Sequence, residues 1–506
     1  MEKNKIGSEY LNRLQGCYHE ISKRGIKVDT VALEEARKYV DSHILYHCTT
    51  ISNIWGCHVY IGSANDDGTN NSVNLNASSG TRTPLARLKD LGYKIPKISK
   101  KDDDGNYISK ESLAELALQR MLSENQFSIL GGDPVLKSML SIRELATLKQ
   151  RYINANLYTT SFGESVYLSN YNAAGTTTGR RASRKHPFGF GNNAQNFPKH
   201  GELASIYRNC LVAREGFIFL SVDQMSAEDW PVSALAQNQL ALEELRNGLD
   251  RHRILAQKIF NLPDDHYTED QWKDSIERYL GKKTRHANNY DMAERTFADS
   301  LAKEGKSFTV QQCKFILDRV NVVDPSIKGV FHEYVRQSLY KTRTLTTPFR
   351  RERQFFGLRG GDNGGNNKIF REAFSYIPQS TVGDNTGFAV FELSCASDAK
   401  GEANQIVQEG HDSIVQESYD SPGQLYDKIQ ETRLSFKRTI RFSNGIEFEI
   451  PVEGEIGYTL GTMKTLKAKN GSKKLEDITY EDVKELYQKV RAAKDGNTAN
   501  TTLAAH

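Results

Sequence analysis

The chain has 506 residues and a formal charge of +4, with charged residues at 26% and both signs interspersed, so it has the length for a large core and about three domains. That mild basicity does not by itself establish a nucleic-acid partner. No apolar run reaches the ~18 residues of a membrane span and no signal-peptide core follows Met1, so a cytoplasmic protein without membrane contact is expected.

Residues 1–45 read as helical, with Leu11, Leu14, Ile21, Ile26, Val28 and Leu33 among the apolar positions. The Gly/Ser/Asn-rich passage 62–80 reads as a loop, and 84–160 as helical again. The acidic turn 101–105 lacks the spacing and distal Glu of a calcium loop, so a solvated turn is predicted there. Segment 170–200, rich in Gly, Thr, Asn, Pro and Arg, is irregular and ordered by something it binds. An apolar run from Phe217 ends on Asp223 and predicts a strand; 226–345 is mainly helical. Residues 359–367 form a Gly/Asn-rich loop with no Gly-Lys-Ser/Thr to make it a phosphate cradle, and 371–400 are helical. Residues 405–416 alternate on both sides of Gly410-His411-Asp412-Ser413, the pattern of a β-hairpin with an aspartate at its turn. The tail 495–506 reads as disordered, and there are no internal repeats. The six cysteines (17, 48, 57, 210, 313 and 395) form no CxxC pair, which predicts reduced, mostly buried thiols and argues against a zinc site.

One helical segment carries the most chemistry. Arg278, Lys282, His286 and Tyr290 recur at every fourth residue. Each step of four drifts only about 40° round a helix, so they form one slowly winding stripe roughly 18 Å long. Two cations followed by two flat rings suit a nucleoside triphosphate laid along the helix; a solvated basic helix would carry the same spacing. A lone strand-end Asp is usually a turn or a cap, but Asp223 and Asp412 beside such a helix read as a pair.

Taken in order, these segments resemble the motifs of family A DNA polymerases, the polymerase I family, and a phage-type member in particular. The resemblance covers roughly residues 10–490. It implies an α+β right-hand polymerase fold, with an antiparallel sheet in the palm and mainly helical fingers and thumb. The expected boundaries are a lead-in packing on the palm (1–61), thumb (62–165), palm (166–239), fingers (240–385) and palm again (386–494). Asp223-Gln-Met-Ser-Ala-Glu228 resembles the first catalytic motif. Asp223 is then a metal ligand with the Gln224 backbone carbonyl beside it, and Glu228 is the steric gate that crowds a ribose 2′-hydroxyl. Gly410-His411-Asp412-Ser413 resembles the second motif, making Asp412 the other metal ligand and His411 a contact to the primer end. The stripe matches the family's fingers helix. By that match Arg278 and Lys282 hold the β- and γ-phosphates, His286 stacks on the nucleotide and Tyr290 guards the templating position.

Asp250-Arg-His252 resembles the start of the fingers, which makes His252 a further phosphate contact. Thr178-Gly179-Arg180 and Asn193-Ala-Gln195-Asn196-Phe-Pro198 resemble DNA-contacting motifs, with Arg180 entering the minor groove. Arg371 and Gln379 would face the template without specifying sequence. The resemblance implies two Mg2+ ions, with Mn2+ able to substitute, and catalytic roles for Asp223, Asp412 and Lys282 in two-metal nucleotidyl transfer. The implied partners are primer–template DNA and dNTPs, and a separate exonuclease or processivity factor is left open. Three positions depart from the family pattern: His286 replaces Phe or Tyr, Asp291 replaces the Gly after Tyr290, and Ser413 replaces a Glu. Both metal ligands survive, so activity is expected. Residues 1–60 are too short for a 3′–5′ exonuclease, so no proofreading is expected. The competing readings are a single-subunit RNA polymerase-like enzyme, against which Glu228 argues, and an inactive DNA-binding relative, against which Asp223, Asp412, Arg278 and Lys282 argue.

Overall fold

The computed structural model describes residues 7–62, 72–77, 83–101, 107–124, 133–199, 201–358 and 366–503. Most of the acidic turn and of the 359–367 loop lie outside the described residues. Two compact units make up the chain, one of Met1–Leu33, Ala155–Met292 and Ile316–His506, the other of Glu34–Asn154 and Ala293–Phe315.

The elements of the first unit that position the site are α1 (Ser8–Arg24), β1 (Phe217–Gln224), α2 (Arg251–Phe260), α3 (Ile276–Asn289), α4 (Asn367–Ala399), β2 (Ile406–Glu409), β3 (Ser413–Tyr419), β4 (Val452–Gly457) and β5 (Lys464–Thr465). The five strands form one antiparallel sheet in the order β2-β3-β1-β4-β5. Alternation along β1 turns Ile218, Leu220 and Val222 into the core and leaves Ser221 and Asp223 half-exposed on the other face. The 33-residue α4 runs through that core; from Ser380 to Val390 every residue is buried. A helix buried all round is expected to be apolar, yet α4 carries Ser380, Asp384, Asn385 and Thr386 there, and each is hydrogen-bonded or ion-paired within the fold.

The second unit packs around Trp55, Leu88, Leu118, Leu136, Met139 and Ile142. Segment 293–315, read from the sequence as part of 240–385, packs here instead. The Arg120–Asp299 ion pair at 2.6 Å and the bond from Gln119 Nε2 to the Lys303 carbonyl at 2.9 Å hold it against the Glu115–Glu124 helix.

Three expectations of local structure change. The helical reading of 1–45 is interrupted at Gly25, whose φ is +59 and whose added Cβ would lie 2.8 Å from the Tyr167 carbonyl oxygen, so the chain turns into the short strand Ile26–Val28. Within 84–160, Lys97–Lys101 and Tyr107–Glu111 form an antiparallel pair, Lys97 opposite Glu111 and Lys101 opposite Tyr107, with β-branched Ile98 and Ile108 and aromatic Tyr107 among residue types that favour strands. The Tyr480–Leu503 helix runs on through most of the segment read as a disordered tail, since buried Val483, Tyr487 and Val490 anchor its first turns and extending a formed helix is cheap. None of the six cysteines is in a disulfide; Cys48, Cys210 and Cys313 are buried and the others half-buried.

Helices α2 and α3 meet at Gly281, where an added Cβ would lie 2.2 Å from the His252 carbonyl oxygen. A helical Gly→Ala change ordinarily stabilises by up to about 1 kcal/mol. Gly281→Ala is expected to do the reverse, costing about 1–3 kcal/mol through overpacking. A thermal unfolding midpoint at or above wild type would disprove the close approach.

Candidate active site

The fold brings the two sequence-predicted carboxylates together. Asp223 stands opposite Ser413 in the β1–β3 ladder, and the backbone N–H of Gln224 donates to the Asp412 carbonyl at 3.2 Å. Burial, and then the charge of Asp412, push the Asp223 carboxyl up to about 7; Lys199 opposes the shift. Burial likewise raises Asp412, against Lys199 and Arg180. Two carboxylates held this close and partly desolvated call for positive charge.

The Gln224 side chain is spent inside the fold. Its Nε2 donates to Thr386 Oγ1 at 2.9 Å and its Oε1 accepts from Asn385 Nδ2 at 2.7 Å, which ties β1 to α4 and leaves the backbone carbonyl as its candidate ligand atom. Among the described residues no group of three or more His, Cys, Asp and Glu side chains is disposed to hold a metal ion. The donor set here, two carboxylates and a carbonyl, fits magnesium, which takes few protein ligands and fills its shell with phosphate and water oxygens.

The turn bearing Asp412 is held on every side. Gly410 N–H donates to the Ser413 carbonyl at 2.7 Å, Thr386 Oγ1 donates to the His411 carbonyl at 3.0 Å, and His411 N–H donates to Glu409 Oε1 at 3.0 Å. These bonds keep His411 at φ +75, a left-handed conformation rare outside glycine. Burial pushes its imidazole down to about 4, so it is neutral at pH 7. Glu409 is fully buried, and burial raises its carboxyl to about 7.

The stripe on α3 forms as predicted, winding from the surface into the core. Ser275 caps the helix by accepting from the Arg278 N–H at 3.2 Å. Asp250 caps α2 and also takes the Arg278 guanidinium at 2.5 Å. Lys282 and His286 are exposed, while Tyr290 is buried with its ring edge-to-face on His286 at 5.0 Å. The Tyr290 hydroxyl donates to one carboxylate oxygen of Glu228, and Arg180 pairs with the other. Asp291 has φ +52, so the position where the family has glycine does require a left-handed residue. Arg371 Nε donates to its carbonyl at 3.0 Å, and Lys328 lies 3.5 Å from its carboxylate. His252 is half-buried; burial pushes it down to about 4, so it offers a neutral imidazole.

Other predicted contacts are placed differently. Asn193 accepts from Ser183 Oγ and the Gln195 N–H, and Gln195 accepts from the Ser183 N–H while its Nε2 donates to Glu409 at 3.0 Å. Both side chains brace the fold, and only Asn196 of that trio is exposed. Gln379 is half-buried on α4, and Arg371 is exposed there. Motif reading did not single out Arg181, Asp384 or Arg351. Arg181 is fully buried, donating to the Gly383 carbonyl at 2.5 Å and lying 3.4 Å from Asp384, which Arg351 grips through both oxygens at 2.7 and 2.9 Å. Gly387 makes room for it, since a Cβ there would lie 1.7 Å from an Arg181 Nη. The signal in the sequence was the run Gly383-Asp-Asn-Thr-Gly387, glycine and polar residues between Val382 and the apolar stretch Phe388-Ala-Val-Phe391.

Residues 68–461 match DNA polymerase family A. The chain belongs to this family. The thermostable DNA polymerase I of Thermus filiformis is 23% identical over 351 residues, covering 69% of this chain and 38% of that protein. DNA polymerase I of Chloroflexus aurantiacus is 23% identical over 288 residues, 56% of this chain and 28% of that protein. This family A chain therefore spans well under half the length of these relatives. In fold it is similar to the POL domain of Pol1 from M. smegmatis, solved in complex with DNA primer-template and dNTP, with a TM-score of 0.67 and 20% identity over 89% of this chain and 70% of that one. The fold is thus α+β, that of a polymerase domain.

Because the Asp223 carboxyl is raised from 3.8 to about 7, the folded state binds more protons than the unfolded state between those values, and stability falls as pH rises through that window. Without divalent cations, Asp223→Asn should raise the melting temperature at pH 8, by on the order of 1–4 °C, and leave it unchanged below about pH 4. Adding magnesium should stabilise the wild type more than the variant. Equal melting temperatures at pH 8 without metal would show that the pair carries no such strain.

Proposed function

We propose that this chain is a template-directed DNA polymerase that adds deoxynucleotides to a primer 3′ end. One observation carries the reading: the hydrogen bond from Tyr290 to Glu228 ties the end of the cationic α3 to the turn directly after β1, the strand that bears Asp223. A nucleotide gripped along α3 is thereby delivered to the carboxylate pair. Asp223, Asp412 and the Gln224 carbonyl would hold two Mg2+ ions, with Mn2+ as a substitute; such ions lower the pKa of a 3′-hydroxyl and neutralise charge developing on the transferred phosphorus.

The chain's own residues bind and orient. Arg278, fixed by Asp250, and Lys282 supply charge to the β- and γ-phosphates, and His286 offers a flat face to the nucleotide. Glu228, held by both Arg180 and Tyr290, stands as a rigid wall against a 2′-hydroxyl. Arg180, Asn196 and Arg371 supply contacts to primer–template DNA. On this reading the five-stranded sheet is the palm, and α2 and α3 belong to the fingers. A role in phage replication rests on the sequence resemblance alone.

Asp223→Ala and Asp412→Ala should each abolish primer extension with magnesium while leaving primer–template binding largely unchanged, because DNA affinity comes from many phosphate contacts. Extension near the wild-type rate in either variant would remove that residue from the pair. Lys282→Ala should weaken use of the incoming nucleotide by about 1.5–3 kcal/mol, the scale of a charged hydrogen bond, with DNA affinity preserved. Single-turnover kinetics with an unchanged dependence on dNTP concentration would contradict the phosphate role. Glu228→Ala should admit ribonucleotides, since a gate works by clashing with the wrong substrate; unaltered discrimination against rNTPs would place the gate elsewhere.

A further inference from the structure

The segment Arg184-Lys185-His186-Pro187-Phe188-Gly189-Phe190 has no part in the site described above. It continues the strand Ala182–Arg184, which follows Arg180 and Arg181 and pairs with Asn170–Asn172. The segment is a tight, preformed turn. His186 N–H donates to the Phe190 carbonyl at 3.1 Å, Gly189 N–H returns to the His186 carbonyl at 2.9 Å, and Phe188 N–H points to His186 Nδ1 at 3.4 Å. Its base is locked as well. Gly191 N–H donates to the Asn156 carbonyl at 2.7 Å, and a Cβ on Gly191 would lie 1.8 Å from the Leu168 carbonyl oxygen, so only glycine lets the turn seat there.

This rigid turn presents a side chain that folding alone does not explain. Phe188 is 82% exposed at the tip, with exposed Arg184 and Lys185 just before it. Phe190, half-buried, meets Tyr158 edge-on at 5.4 Å, which brings the neighbouring hairpin of Tyr158–Thr159 and Ser165–Tyr167 alongside. That hairpin carries a second bare ring, Phe162, 92% exposed. A bare ring on a rigid support flanked by cations is how proteins stack unpaired bases while holding the backbone phosphates. Preorganisation reduces the ordering cost of binding.

We propose that the 184–190 turn is a single-strand binding element, with Phe188 stacking on an unpaired base of DNA and Arg184 and Lys185 holding the adjoining phosphates. The choice of nucleic acid as the occupant rests on the polymerase reading above and on the charge of the turn.

The test is binding of a labelled oligothymidine of about 16 nucleotides, within the range of sites built this way. Phe188→Ala should weaken binding about five-fold or more, and Phe188→Tyr should restore it. Arg184→Glu combined with Lys185→Glu should reduce the slope of log K against log salt by about 1.4, the value for two single-strand phosphate contacts. Phe188→Trp supplies a direct reporter, because the three native tryptophans, Trp55, Trp230 and Trp272, are all buried. Its fluorescence should be quenched by the oligonucleotide. Oligothymidine affinity unchanged in Phe188→Ala, or an unquenched Trp at 188, overturns the proposal. So does loss of a dimer in sedimentation with single-strand affinity intact, which would make the ring a contact between copies. These measurements use no dNTP, so they are separable from failure of the polymerase reading, which retained extension in Asp223→Ala and Asp412→Ala would expose.

Discussion

The site depends first on the register of one strand pair. From Phe217 opposite Tyr419 to Asp223 opposite Ser413, β1 and β3 run antiparallel without a slip. Asp412 is the residue just before the last pair, so this register alone sets two carboxylates, 189 positions apart in sequence, side by side. A shift of one residue would turn Asp223 into the core and Val222 out of it. The apolar alternation of β1 therefore fixes the chemistry as well as the fold. The electrostatic cost of the arrangement appears in the raised Asp223 carboxyl.

That cost is tolerated because the surroundings are over-determined. From Ser380 to Val390 α4 is buried all round, yet it presents polar groups where the Asp412 turn needs partners. Thr386 serves both the Gln224 side chain and the His411 carbonyl, and Asn385 takes the other end of Gln224. Asp384 anchors Arg351 and lies beside Arg181, next in sequence to the Arg180 that grips Glu228. Buried polar networks specify a single arrangement when their members are partnered; here Arg181 Nε and one Nη have no hydrogen-bond partner, so its charge is held mainly by Asp384 and the Gly383 carbonyl. The glycine at 387 is part of the same solution, since it lets a guanidinium lie against a helix backbone.

The junction of Arg180, Glu228 and Tyr290 joins three separate segments of the chain. It links the Thr-Gly-Arg motif, the turn after β1 and the end of α3. The proposed gate is therefore rigid by construction. Left-handed Asp291, held through its carbonyl by Arg371, fixes the point where α3 ends.

Much of this was legible in the sequence. The four-residue spacing of Arg278, Lys282, His286 and Tyr290, the apolar run ending at Asp223 and the alternation about Asp412 are local patterns, and local patterns survive into local structure. The helical reading failed where a single glycine redirected the chain, at Gly25, and where two short segments paired as strands, at 97–111. The bracing roles of Asn193 and Gln195, the Arg181–Asp384–Arg351 group and the neutral imidazoles of His252 and His411 were not legible. Each depends on which distant side chain lies beside it and on how far water is excluded. Sequence by itself determined the site-bearing elements, the strand ending at Asp223, the hairpin about Asp412 and the cationic helix, and the residue types that carry the chemistry. Tertiary structure alone decided which polar groups face the site and which are spent holding it, because hydrogen-bond partners and desolvation are properties of the packed chain.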